Sequence, residues 1–387
     1  MPLANALLTI EQLGETEPRY PLVLAFCPQC ALVQITETVP PDVLYRHYVY
    51  FSSYSETMVR ESRRIAERMI GSRGLNGHSC VIEIASNDGY LLQFYKQAGV
   101  PALGIEPASN VAARALARGI PTVCDFFSFE LAQSLRSEGK KADVIHANNV
   151  LGHVADIDGF FRALASLLKN DGVIVIEVPY VRDMIERTEF DTVYHEHLSY
   201  FSLAALDRSC LQHGLVITNV ERLAIHGGSL RVFAEHGSAG KQAEPIVSRM
   251  LAEEASCGLT TFPFYIGFST HVACLKSRLL GRLTNLKSQG ARIAVYGASA
   301  KGATLLNHFG IDAALVDFVV DRNPSKQGLY TPGAHLPVYP AHKLLEEMPE
   351  YVLLLTWNFA EEIIEQQAEY RRRGGRFIVP IPDLRVI

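Results

Sequence analysis

The feature that most constrains this chain is the stretch from Cys80 to Val178, where short apolar runs alternate with helical segments. CVIEIAS, ALGIEP, PTVCDFF, DVIHANN and DGVIVIEVP read as strands, and YLLQFYKQAG and ASNVAARALARG as helices. Short strands that are apolar along nearly their whole length are expected to be buried on both faces. The pattern therefore predicts a doubly wound parallel α/β sheet. A second alternation opens at Arg292: RIAVYGAS, AKGATLLNHFGI, VDFVVDRN, YVLLLTWN, AEEIIEQQAEYRRRG and RFIVPIP predict another α/β unit. At roughly 150 residues per domain, 387 residues accommodate both and a small additional module.

The flanking regions differ. Before Ser55 lie short strands and turns around Cys27-Pro-Gln-Cys30, then an aromatic cluster of Tyr45, Tyr48, Tyr50, Phe51 and Tyr54. SETMVRESRRIAERMI reads as a helix capped by Ser55 and ended by Gly71 and Gly74. After Val178 come the polar and aromatic TVYHEHLSYFS and an antiparallel pair, GLVITNVERL and GSLRVFAEH, joined through His226-Gly227-Gly228. Residues 243 to 288 read as mainly helical. A formal net charge of -5 argues against a nucleic-acid binder that relies on bulk positive charge. Seven scattered cysteines argue against a disulfide framework, and no apolar run approaches a membrane span. The expectation is a soluble cytoplasmic protein, monomeric or weakly homo-oligomeric, with no nucleic-acid or membrane partner.

Four motifs carry chemistry. In Glu83-Ile-Ala-Ser86-Asn87-Asp88-Gly89 a strand runs through a tight polar turn into a helix, where a nucleoside can approach the backbone. Glu106-Pro107 ends the next strand and can accept from ribose hydroxyls. The turn lacks the glycines a diphosphate needs, which favours S-adenosylmethionine over NAD. Asp125 and the pair Asn148-Asn149, at later strand ends, complete the candidate cofactor set. Tyr194-His195-Glu196-His197 offers a histidine as general base and a tyrosine as oxyanion donor, with His153 on the same rim. In an extended segment His195 and His197 would share one face. Cys27 and Cys30 form one CxxC, half of a tetrahedral zinc site. Tyr296-Gly-Ala-Ser299-Ala-Lys301-Gly302 opens the second unit like another nucleotide-binding turn, the basis of an alternative reading as a nicotinamide-dependent enzyme. A non-catalytic binding protein is the other alternative.

The strings CPQCALVQ, YVYFSSYSETM, VIEIASNDGYLL, GIEPASNVA, ANNVLGHVADI, VYHEHLSYFS and VYGASAKGATLLN, in this order, resemble the S-adenosylmethionine-dependent sugar C-methyltransferases of deoxysugar biosynthesis. The resemblance implies a zinc-binding N-terminal module (1–54), a central methyltransferase domain (55–242) and a C-terminal Rossmann-like domain (243–387). It implies S-adenosylmethionine as cofactor, zinc in the N-terminal module and a nucleotide-linked keto-sugar between domains. It implies His197 as general base, Tyr194, Glu196 and His153 in the active site, and Tyr48 on the substrate side, with Tyr296, Ser299 and Lys301 facing the substrate from the C-terminal domain. The family carries an earlier CxxC before a PLANALL-like segment. This sequence opens at Met1-Pro2-Leu3-Ala4-Asn5, so a truncated module with half a zinc site is expected.

Overall fold

The computed structural model describes residues 1–45 and 51–387. A short pair, β1 (Leu24–Phe26) and β2 (Val33–Ile35), is followed by the strands of the first α/β unit. These are β3 (Val81–Ile84), β4 (Ala102–Ile105), β5 (Thr122–Val123), β6 (Ala142–Asn148) and β7 (Leu168–Pro179). Then come β8 (Ser199–Tyr200), β9 (Leu215–Leu223) and β10 (Ser229–His236). The second unit holds β11 (Ile293–Tyr296), β12 (Val319–Asp321), β13 (Val338–Pro340), β14 (Tyr351–Leu354), β15 (Arg376–Val379) and β16 (Arg385–Val386).

The first sheet has the order β5-β4-β3-β6-β7-β10-β9. Its first five strands are parallel, and the antiparallel hairpin β9–β10 completes it on β7. Reversal of strand order beside β3 opens a crevice at the carboxyl ends of β3 and β6, where ligands bind in such sheets. β3 is buried at every residue, Glu83 included, as a strand covered on both faces must be. The second sheet, β13-β12-β11-β14-β15-β16, repeats the parallel design with one antiparallel edge strand. Each sheet has its own apolar core.

The third sheet matters most for function. It joins β1 and β2 to β8, so the N-terminal module pairs with the strand that follows His197. Phe190, just upstream of the same segment, stacks on Phe309 of the second unit at 4.7 Å between ring centroids. The histidine-bearing segment is thus gripped from two sides.

Several boundaries differ from expectation. The helix capped by Ser55 runs Glu56–Arg73, with Gly71 inside it and only Gly74 ending it, at φ 61°. β5 shrinks to two residues. The helix expected before Gly374 breaks at Gln367 into Ala360–Gln366 and Ala368–Arg372.

Candidate active site

A cavity of about 640 Å³ opens where the two α/β units and the N-terminal segment meet. Its first wall is the turn after β3. Ala85, Asn87 and Gly89 have φ of 53°, 49° and 77°, so the chain doubles back tightly before its helix. A Cβ on Gly104 would lie 2.3 Å from the Ser86 hydroxyl, so the glycine on β4 makes room for the turn. Glu106, at the end of β4, braces it. One carboxylate oxygen accepts from the Asn87 amide at 3.0 Å and the other from the Ala108 amide at 2.9 Å. Burial nevertheless raises Glu106 to about 7.

Of the expected cofactor residues, Glu106, Pro107, Asn148 and Asn149 line the cavity. Glu83 and Ser86 lie fully buried beneath the turn, and their side-chain oxygens have no hydrogen-bond partner among the described residues. Asn87 and Asp88 turn instead to the segment that covers the turn. Asn87 accepts from the Ser52 amide at 2.9 Å, while Asp88 takes the Ser53 hydroxyl and an ion pair with Arg118. Gly89 packs against Ile120, and Asp125 is exposed, accepting from the Phe126 amide. The adjoining wall is Phe126 and Phe127, from the same CDFF string. Asn148 Oδ1 is buried without a partner among the described residues. A pocket of carboxylate and amide oxygens beside aromatic rings suits a ligand that brings its own donors. The hydroxyls, ammonium and adenine amine of S-adenosylmethionine are such donors.

The second wall is the histidine segment, and here the extended reading needs correction. Tyr194 to His197 form a tight turn, with the His197 amide donating to the Tyr194 carbonyl at 2.9 Å. The two histidines therefore part company. His195 points to the N-terminal module, its Nε2 3.0 Å from the Pro21 carbonyl. His197 lines the cavity. His197 Nδ1 is 2.8 Å from the Thr192 carbonyl, which can only accept, so this nitrogen carries the proton. Nε2 is left as the acceptor, taking the Tyr194 hydroxyl at 2.7 Å. That is the tautomer a general base needs. His153 also lines the cavity, its ring 4.9 Å from that of His197, and burial lowers it to about 4. Glu196 lies behind, its carboxylate accepting from Asn5 Nδ2 at 2.6 Å.

The third wall belongs to the second unit. Ser299 caps the helix Ala300–Phe309 by accepting from the Gly302 amide, and Ser299, Lys301 and Lys326 line the cavity. Tyr296 lies buried at the end of β11, outside the lining. Tyr48 falls outside the described residues.

Several cavity residues were not anticipated. Tyr45 donates to the Glu196 carbonyl at 2.9 Å and contacts His153 Nδ1 at 3.0 Å. Its signal was its place in the aromatic cluster. Asn5, Ser52, Lys326 and Thr192 also line the site, on loops or caps with no periodicity to betray them.

Cys27 and Cys30 sit in a tight turn between β1 and β2, closed by the Ala31 amide donating to the Cys27 carbonyl at 2.9 Å. Among the described residues no group of three or more His, Cys, Asp or Glu could hold a metal ion. The two thiols present do not complete a tetrahedral zinc site. No helix is long and apolar enough to cross a membrane.

A doubly wound sheet with an acid-braced turn, an acceptor-rich pocket and an imidazole beyond it defines an S-adenosylmethionine-dependent methyltransferase. Family models agree in sequence. A "Putative zinc binding domain" matches residues 1–45, a methyltransferase domain 50–220 and a C-methyltransferase C-terminal domain 224–382. The chain is 34% identical to C-methyltransferase NovU of Streptomyces niveus over 386 residues, spanning 100% of this chain and 92% of that protein. It belongs to this three-part C-methyltransferase family. A ubiquinone biosynthesis O-methyltransferase of Bartonella quintana is 27% identical over 97 residues, 25% of this chain and 39% of its own. Among solved structures, magnesium protoporphyrin IX methyltransferase of Synechocystis aligns at 15% identity and TM-score 0.36, over 46% of this chain and 79% of its own.

Proposed function

We propose that the enzyme methylates a carbon of a nucleotide-linked keto-deoxysugar, with residues 1–54, 55–242 and 243–387 as its three functional units. The observation that carries this reading is that one cavity is lined both by a base-competent imidazole and, from the second unit, by Ser299, Lys301 and Lys326. The carbon beside a ketone becomes a nucleophile only when its proton is removed. His197 Nε2 is oriented for that step by the Thr192 carbonyl. Tyr194, which now donates to Nε2, can donate to the enolate oxygen as the imidazole takes up the proton. His153 stays neutral through burial, so no second positive charge opposes the protonation of His197 at 4.9 Å. Bound against Glu106 and Asn148, S-adenosylmethionine supplies the electrophilic methyl group.

At the opposite wall, Ser299, the first turn of the helix Ala300–Phe309, Lys301 and Lys326 form an anion-receptive surface. A sugar diphosphate has the charge to match it. The test is incubation of purified protein with S-adenosylmethionine and a panel of nucleotide-linked 4-keto-deoxysugars. Mass spectrometry should show a methyl group on a sugar carbon, with S-adenosylhomocysteine formed in equal amount. No methylated sugar across the panel would overturn the reading.

A further inference from the structure

The segment carrying His197 is tied to the C-terminal unit by a buried cluster that takes no part in the steps above. Asp191 is fully buried, and its Oδ2 accepts from the indole Nε1 of Trp357 at 2.7 Å. Its Oδ1 has no hydrogen-bond partner among the described residues, so the indole N–H is the contact that holds this carboxylate. The Thr192 carbonyl is the acceptor that holds His197 Nδ1, and it also takes the Tyr200 hydroxyl at 3.4 Å. One residue further on, the Val193 carbonyl accepts from Thr304 Oγ1 at 3.3 Å. Asp191 and Val193 are thereby fastened to the second unit, and Thr192, the residue between them, sets the tautomer of the base.

The other side of the indole faces the cavity wall. Lys301 Nζ stands 4.6 Å from the centroid of the Trp357 ring and is close enough to Asp191 and Glu189 to favour their ionised forms. Thr356, Asn358 and Phe359, around the indole, line the cavity themselves. Trp357 therefore lies between the surface that would receive an anion and the carboxylate that braces the base.

We infer that Trp357 and Asp191 are positioning residues for His197, linking the seating of an anionic substrate group at Lys301 to the carbonyl that fixes the imidazole. This rests on the reading that a diphosphate-bearing substrate occupies the cavity. An anion that draws Lys301 towards the cavity removes the cation from the indole face and weakens its hold on Asp191. Trp357 then remains as the hydrogen-bond partner of that carboxylate, in a buried setting where the contact counts for more than in water. The seated substrate and the correctly held base thus arrive together.

Trp357 is the single tryptophan of the chain, so indole emission reports on this one place. Titration of the full-length protein with thymidine diphosphate should give a saturable change in that emission, lost in Lys301→Met. Trp357→Phe keeps an aromatic ring but removes the N–H donor. It should lower kcat about ten- to a hundredfold, with the KM for sugar nucleotide and the Kd for S-adenosylmethionine within about twofold of wild type. Asp191→Asn keeps one acceptor oxygen for the indole and should lower kcat by a smaller factor, with the same split. Should Trp357→Phe fail to fold, Asp191→Asn decides alone: wild-type kcat would overturn the inference. An emission that ignores the nucleotide while the wild-type enzyme turns over would overturn it as well. Failure of the wild type on every sugar nucleotide would count against the functional reading instead. The emission response would then decide the link, a change supporting it and none overturning it.

Discussion

The two α/β units use the same local device to different ends. In each, the second strand ends in an acid that reaches back to the turn after the first. Glu106 accepts from the amides of Asn87 and Ala108, and Asp321 from those of Ala298 and Asn323, all at 2.8 to 3.0 Å. What surrounds the turn sets them apart. Glu106 lines the cavity beside Phe126 and Phe127 and so retains a face for a ligand. Around the second turn, Lys326 donates to the Ala298 carbonyl at 2.7 Å, and Gly297 packs so closely on Thr356 that a Cβ would lie 2.7 Å away. Asp321 is turned inward, and the unit presents Ser299, Lys301 and Lys326 to the cavity of the other unit. The second unit thus supplies one wall of that cavity. The nicotinamide alternative would use this second turn, whose acid, unlike Glu106, lies outside the cavity lining.

If the first unit and its rim carry the chemistry, the largest loss should come from the rim. His197→Asn should lower kcat about 10²- to 10⁴-fold, the usual contribution of a general base, while S-adenosylmethionine still binds. The readouts are steady-state kinetics and calorimetry. A variant with unchanged turnover would remove His197 from the base role and reopen the choice between it and His153.

The next effect tests the acid that faces a ligand. Burial holds Glu106 at about 7 in the cofactor-free protein, whereas ribose hydroxyls donate to the ionised carboxylate. Binding should therefore release a proton. The affinity for S-adenosylmethionine should fall about tenfold per unit as pH drops below that value, and level off above it. Glu106→Gln should weaken binding about tenfold or more and flatten the profile. Calorimetry in buffers of different ionisation enthalpy counts the proton directly. The sign for stability is opposite. A raised carboxylate favours the protonated folded state, so the cofactor-free protein should lose stability as pH rises from the ordinary carboxylate range towards 7.

Much of this was legible because burial and periodicity are written along the strands. β3, β4, the β9–β10 hairpin and the core strands of the second unit fall inside the runs that suggested them, while β6 begins one residue and β7 three residues earlier. The place of Glu106 at the cavity was readable from its position at a strand end, whereas Asp125, read in the same way, lies exposed outside the lining. The side-chain directions inside turns were not readable. Asn87 and Asp88 serve the Ser52–Ser53 cover, and Tyr194–His197 coils instead of extending. Period-two alternation holds for strands and says nothing of a turn closed by one amide. Long-range partners were also hidden. Asn5 on Glu196 and Trp357 on Asp191 join residues 191 and 166 positions apart, and no local pattern encodes such pairs.

The smallest effect belongs to the acid that faces no ligand. Asp321→Asn keeps one side-chain acceptor and loses the other, so one of the two turn amides goes without its partner. The cost should be about 1–2 kcal/mol, seen as a fall of a few degrees in Tm by calorimetry. The Kd for S-adenosylmethionine should not change, because the residue lies outside the cavity lining. Added reduced nicotinamide dinucleotide should neither raise Tm nor restore the loss. If the dinucleotide stabilised the wild type and this variant abolished the effect, the two units would be equivalent after all. The second turn would then be a cofactor site, and its closure by Lys326 one state of a loop that opens.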